Sequence, residues 1–278
     1  MAEKIVCVAG MHRSGTSAVA RVVNILGCYL GNEKNLLPPA PDNPKGFWEN
    51  RRLVDINVEV LRVLGRRSDD PRLPLPAHWW LAETLTDLRR EAARAVAEEF
   101  GGTSFWGWKD PRNCLTLPFW RSVVGPFHVV FVVRHPLEVA RSLWARGRYP
   151  ESTGLYLWTC YNYQILKDLK GERFLVVAYP MLLRQAGTTV RRIAAFLGTQ
   201  LTDPQLEEIA SFLEPSLKHQ TAGNRDWPQD FPRRPVLRAW RFFQWWHGRE
   251  LPSFLARAVS LFLRKVALSG PHGHSPRQ

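Results

Sequence analysis

The feature that most constrains this chain is short. The apolar run Ile5-Val6-Cys7-Val8-Ala9 passes directly into Gly10-Met11-His12-Arg13-Ser14-Gly15-Thr16-Ser17, and that segment opens the helical pattern Ala18-Val19-Ala20-Arg21-Val22-Val23. A buried strand, a glycine-spaced turn and a helix in this order make a phosphate cradle, because turn amides and the positive end of the helix face one anion. The spacing matches the nucleoside-triphosphate loop G-x-x-x-x-G-K-[ST] except at Thr16, which stands where the phosphate-gripping lysine belongs. Arg13 still puts a fixed positive charge beside the anion. The loop therefore suits a phosphate-like group on a donor other than magnesium-ATP.

Three segments carry a family resemblance. His12-Arg13-Ser14-Gly15-Thr16-Ser17 resembles the 5′-phosphosulfate loop of sulfotransferases that use 3′-phosphoadenosine 5′-phosphosulfate (PAPS), in the branch with Pro-Arg-Ser-Gly-Thr-Thr. Phe131-Val132-Val133-Arg134-His135-Pro136, continuing to Ser142, resembles that family's 3′-phosphate site, in which an Arg at a strand end and a Ser eight positions later hold the donor. Lys109-Asp110-Pro111 resembles the Lys-Asp-Pro of tyrosylprotein sulfotransferases, whose lysine faces the transferring sulfuryl group. The resemblance covers roughly residues 4–180. It departs at His12, which replaces a proline, and in the C-terminal third, which has no clear copy of the nucleotide-covering loop; Lys218 and His219, ahead of Ala222-Gly223-Asn224, are the weakest match there.

The resemblance implies PAPS as co-substrate and sulfuryl transfer to a hydroxyl or amine; no metal-ligand cluster stands in the sequence, so no metal is expected, and the motifs leave the acceptor open among a glycan, a glycolipid and a small metabolite. It implies that Arg13 contacts the sulfuryl group, that His12, Ser14, Gly15, Thr16 and Ser17 complete the 5′ cradle, and that Arg134 and Ser142 clamp the 3′-phosphate. Lys109 is then an electrophilic stabiliser, and Tyr179 lies near the nucleotide. Transfer also needs a base for the acceptor proton. Among Glu33, Asp42 and Glu49, the apolar neighbours Phe47 and Trp48 favour Glu49, since such a setting raises a carboxyl pKa. Glu33 is the second candidate, nearer the loop where related sulfotransferases place a glutamate, and His12 the third. The competing readings are a kinase with a degenerate loop and a non-catalytic protein that binds PAPS or adenosine bisphosphate.

The chain has 278 residues, enough for one sizeable core, and a formal charge of +13 that favours anionic ligands. No helix-turn-helix, zinc-ligand or RNA-recognition signature points to nucleic acid. Cys7, Cys28, Cys114 and Cys160 form no C-x-x-C pair and read as small buried hydrophobes. With no signal-peptide pattern or spanning apolar run, the expected setting is reducing and cytoplasmic, with membrane association as a second reading.

Strand patterns at 4–9, 104–108, 127–133 and 174–178 alternate with helical patterns at 51–64, 81–100, 136–143, 154–169 and 188–197. Such alternation predicts an α/β fold, three-layer α/β/α with a central parallel sheet, like that of P-loop NTPases, plus C-terminal helices. Residues 31–50 hold four prolines and two glycines, which excludes regular structure, and Phe47 and Trp48 favour an ordered loop. The expected division is an α/β domain over 1–235, basic aromatic helices over 236–268 and a disordered tail over 269–278. Arg238, Arg241 and Arg249 alternate there with Trp240, Phe242, Phe243, Trp245 and Trp246. These helices either pack on the domain with arginines in water or contact an anionic membrane peripherally.

Overall fold

The computed structural model describes residues 3–41, 43–147, 149–169, 173–213, 227–229 and 231–269. Asp42, Lys218, His219, Ala222, Gly223, Asn224 and the tail from Gly270 lie outside the described residues.

Four strands form one parallel sheet in the order β2-β1-β3-β4: β1 (Lys4–Ala9), β2 (Phe105–Lys109), β3 (His128–Val133) and β4 (Phe174–Ala178). Their near-continuous apolar sequences follow from burial on both faces. Ile5, Cys7 and Ala9 point into one hydrophobic core, with Trp106, Trp108, Phe131 and Phe174. Val6, Val8, Val130, Val132 and Val177 point into the other. The first core is covered by α2 (Arg51–Val63), α3 (Thr86–Phe100), α4 (Asn113–Val124), α5 (Pro136–Trp144), α6 (Glu151–Asp168), α10 (Arg233–Trp245) and α11 (Ser253–Leu268). The second is covered by α1 (Thr16–Ile25), α7 (Tyr179–Arg184), α8 (Ala186–Leu197) and α9 (Asp203–Phe212). This is the expected three-layer α/β/α arrangement.

The strand order decides where a ligand can sit. The neighbours β1 and β3 send their following helices, α1 and α5, to opposite faces, so a crevice opens beyond their C-terminal ends. The loops 10–15 and 134–135 form its rim.

Three helices, α4, α7 and α9, go beyond the sequence expectation. α4 is buried all round from Asn113 to Trp120 and contains Pro118, so it shows neither an amphipathic stripe nor an unbroken helical pattern. α9 is short but opens with a capping box between Thr202 and Gln205. The helix expected from 81 starts at Thr86, because Arg89 takes the carbonyls of Trp80 and Ala82 at 2.8 and 3.1 Å and residues 79–85 stay in two 3-10 turns. α10 starts at Arg233, so a boundary at 235 would cut its first turn.

The C-terminal helices are tied to the sheet. The segment after α10 runs antiparallel to the edge strand β4, with Gly248 N donating to Val176 O at 2.7 Å and Leu251 N to Phe174 O at 2.7 Å, which covers an edge otherwise open to pairing. His247 locks this join. Its Nδ1 accepts from Ala178 N at 3.1 Å, and its Nε2 meets Thr189 Oγ1 at 3.0 Å. A proton on Nδ1 would face an N–H, and burial together with Arg192 pushes the imidazole pKa down to about 4. Because the unfolded chain protonates near 6.5, the contribution of this group is complete above that pH and is lost as pH falls toward 4. We expect denaturant unfolding of the wild type to show about 3 kcal/mol more acid loss between pH 7 and 4 than His247→Asn does. Equal slopes would contradict the assignment.

Candidate functional site

The loop after β1 needs its two glycines for close approach. A Cβ on Gly10 (φ 154°) would lie 2.2 Å from the carbonyl oxygen of Val132 on β3, and one on Gly15 (φ 91°) would lie 2.2 Å from the Tyr179 ring. Gly15 is also the residue from which α1 starts, with no side-chain cap and no acid in the first turn. The amide end of α1 is therefore left for an external anion. Ser14 is fully buried, and its Oγ has no hydrogen-bond partner among the described residues. Arg13 holds a left-handed φ of 67°, a costly conformation for a non-glycine residue that the tight loop enforces.

The crevice brings the two arginine loops together. Arg13 Nε donates to Ser142 Oγ on α5 at 2.9 Å, and Arg134 donates to the Arg13 carbonyl at 3.4 Å. Arg134 is itself held by Glu138, one turn into α5, at 2.8 Å, and its guanidinium lies 5.7 Å from the centre of the Tyr179 ring. Burial and the neighbouring Arg134 charge both lower the Arg13 pKa, and burial raises that of the Tyr179 phenol. Two guanidiniums that repel each other at one rim are an arrangement that an anion relieves.

A third wall comes from β2 and the proline-rich loop. Lys109, at the end of β2, is buried and ion-paired with the equally buried Glu49; its Nζ also donates to Phe47 O at 3.2 Å and to Ser17 Oγ at 3.3 Å. Leu37 N donates to Glu49 O at 2.8 Å, and Trp48 adopts a φ of 59°, which fixes the backbone on both sides of the carboxylate. Burial pushes the Glu49 carboxyl pKa up, against the pull of Lys109. The loop is ordered, as Phe47 and Trp48 led us to expect: Trp48 Nε1 donates to Lys45 O at 3.0 Å, and Arg21 stacks 4.9 Å from its ring.

One cavity of about 580 Å³ is lined by His12, Arg13, Gly15, Thr16, Ser17, Glu49, Lys109, Arg134, Ser142 and Tyr179. It thus unites nearly all the residues singled out in the sequence. Ser14 lies beneath the cradle, and Glu33 lies elsewhere: it is exposed and borders a separate groove of about 460 Å³ with Leu36, Trp48 and Arg51. Sequence reasoning missed Asn43, whose Nδ2 donates to Ser17 Oγ at 3.2 Å, and Arg146 and Phe212 on the cavity wall. Phe212 ends α9, one of the helices the sequence reading lacked. Asn43 carries no signal beyond its place in the loop.

Beneath Lys109, Asn57 uses its whole amide: Nδ2 donates to Asp110 and Asn113 at 2.9 and 3.0 Å, and Oδ1 accepts from Thr116 and Trp120 at 2.6 and 2.8 Å. Asp110 pairs with Arg112 at 3.0 Å, raising the Arg112 pKa, and accepts from the Arg112 amide at 2.9 Å. The Lys109-Asp110 turn is thereby fixed against α2 and α4.

Comparison with solved structures finds similarity to a sulfotransferase domain from the curacin biosynthetic pathway (17% identity over 74% of this chain and 77% of that one, TM-score 0.44). A sulfotransferase domain of the Synechococcus PCC 7002 olefin synthase is similar at 17% identity over 99% and 97% of the two chains, with a TM-score of 0.49. Retinol dehydratase, solved with androsterone and inactive cofactor PAP, is similar at 14% identity over 99% and 84%, with a TM-score of 0.39. A search of curated proteins gave no match. The family model described as "Sulfotransferase family" matches residues 6–203, a stretch that runs from β1 into the start of α9 and contains the loop, both arginines, Glu49 and Lys109, and the chain belongs to that family.

Proposed function

We propose that this sulfotransferase takes its sulfuryl group from PAPS and that the crevice between β1 and β3 is the donor site. The observation that carries the reading is the convergence of Arg13, Arg134 and Ser142 on the cavity that the amide end of α1 also faces. Residues Ser14 to Ser17 hold the 5′-phosphosulfate, with the uncapped first turn of α1 supplying donors. Arg134 and Ser142 hold the 3′-phosphate, and Tyr179 backs the nucleotide. A 3′-phosphate gives Arg134 a purpose that an ATP donor would not, since ATP lacks that group.

The chemistry then follows from placement. The acceptor hydroxyl oxygen forms a bond to sulfur while the bond from sulfur to the bridging oxygen breaks; that electron pair leaves with adenosine 3′,5′-bisphosphate, and the acceptor proton goes to Glu49. Protonation of Glu49 dissolves its ion pair with Lys109 just as negative charge grows on the bridging oxygen, so Lys109 and Arg13 stabilise the leaving group at the moment it forms. Positioning and electrostatics supply the rate, as in phosphoryl transfer. No step is routed through a metal.

The acceptor presents a hydroxyl or amine to Glu49, on the side of the cavity that Leu37, Asn43 and Phe47 also line. Transfer of labelled sulfate from PAPS to panels of glycans, lipids, phenols and peptides tests the reading. Magnesium-dependent turnover of ATP would instead favour the kinase, and tight donor binding without transfer to any acceptor a nucleotide sensor. Within an active assay, Arg13→Lys is expected to lower kcat roughly tenfold with a smaller change in donor affinity, because an ammonium cannot serve Ser142 and the bridging oxygen together. An unchanged kcat would remove Arg13 from the transferring end.

A further inference from the structure

α11 is apolar on two opposite sides. Its inner side, Ala256, Val259, Leu263 and Ala267, is buried in the core against α6, where Cys160 Sγ approaches Ala267 O at 3.7 Å. An amphipathic helix packed in this way needs only polar residues outside. Its outer side nevertheless carries Phe254 at 69% exposure, Leu261 at 63% and Phe262 at 41%. Phe254, Ala258, Leu261 and Lys265 follow one another at helical spacings of four, three and four, so they form a single outward stripe. Arg257 and Arg264 flank it, both exposed.

The charge along α10 and α11 is nearly all of one sign. Between 233 and 268 the sequence holds eight Lys and Arg and a single acid, Glu250, which is paired with Arg173 at 2.5 Å. No helix among the described residues is long and apolar enough to cross a membrane. We propose that the outer face of α11 docks on the surface of an anionic lipid bilayer, with Phe254, Leu261 and Phe262 entering the headgroup boundary and Arg257, Arg264 and Lys265 meeting lipid phosphates. The charge complementarity selects this occupant: aromatic and aliphatic side chains in one stripe, bordered by long basic ones that extend to the interface, are what an interfacial helix needs. A second copy of this chain would bring another basic face against the first.

The full chain is sedimented with vesicles of phosphatidylcholine alone and of phosphatidylcholine with phosphatidylserine, at low and physiological salt. The wild type is expected to pellet with the anionic vesicles, less so at higher salt, and to stay in solution with the neutral ones. The F254S/L261S/F262S and R257Q/R264Q/K265Q variants change exposed positions and are expected to keep the wild-type melting temperature while losing at least about tenfold in partitioning. Wild-type protein that remains in the supernatant at low salt, or variants that pellet as it does, would overturn the proposal. So would a wild-type dimer that the apolar variant converts to monomer in the absence of vesicle binding.

Discussion

Replacing Glu49 with Gln is expected to lower kcat by about 10²- to 10⁴-fold, the range for loss of a positioned base, while donor affinity stays within about twofold. The carboxylate is 7% exposed, paired with Lys109 and carried by a loop that Leu37, Lys45 and Arg21 hold in place, so a neutral isostere keeps the shape while removing the proton acceptor and the charge that faces Lys109. The pH profile gives the sign. A base works ionised, so wild-type activity falls as pH drops through the Glu49 pKa, which burial raises above the ordinary carboxylate value. In Glu49→Gln that acid limb disappears. In Lys109→Ala the limb moves to higher pH, because the charge that pulls the Glu49 pKa down is gone. Normal turnover by Glu49→Gln, with the loss appearing in Glu33→Gln instead, would move the base to the exposed groove and contradict the assignment.

The second large effect concerns recognition of the donor. Arg134→Ala is expected to weaken binding of adenosine 3′,5′-bisphosphate by about 2 to 4 kcal/mol, or roughly 30- to 1000-fold, and to leave 5′-AMP nearly unchanged. Arg134 is 6% exposed and held by Glu138, so its fork is preorganised and little side-chain entropy is lost when a phosphate arrives. Equal losses for both nucleotides would show that Arg134 supports the loop through the Arg13 carbonyl rather than contacting a 3′-phosphate.

The fold class was legible in the sequence, as were most of the residues that the structure brings together around one cavity. The loop, the two arginines and Lys109 stand out by their resemblance to sulfotransferase motifs and Glu49 by its apolar neighbours Phe47 and Trp48, while β1 to β4 declare themselves by near-continuous apolar runs. α4 stayed hidden because total burial erases helical periodicity and Pro118 imitates a break. The same blindness concealed Asn57, an apolar-helix asparagine whose four hydrogen bonds exist only once α2, α4 and β2 meet. Glu33 and Glu49 could not be separated by proximity in sequence. What separates them is the turn through Trp48 and the pairing of Leu37 with Glu49, which carry Glu49 into the cavity and leave Glu33 outside it.

Whether the β1/β3 crevice binds a nucleotide through both its 5′ and 3′ ends is tested by calorimetric titration of the wild-type protein, without knowledge of the acceptor. Adenosine 3′,5′-bisphosphate is expected to bind at least about 30-fold more tightly than 5′-AMP in the presence of a chelator, since one buried charged pair separates the two ligands. Indistinguishable affinities for the two, or tight binding of ATP that requires magnesium, would contradict it.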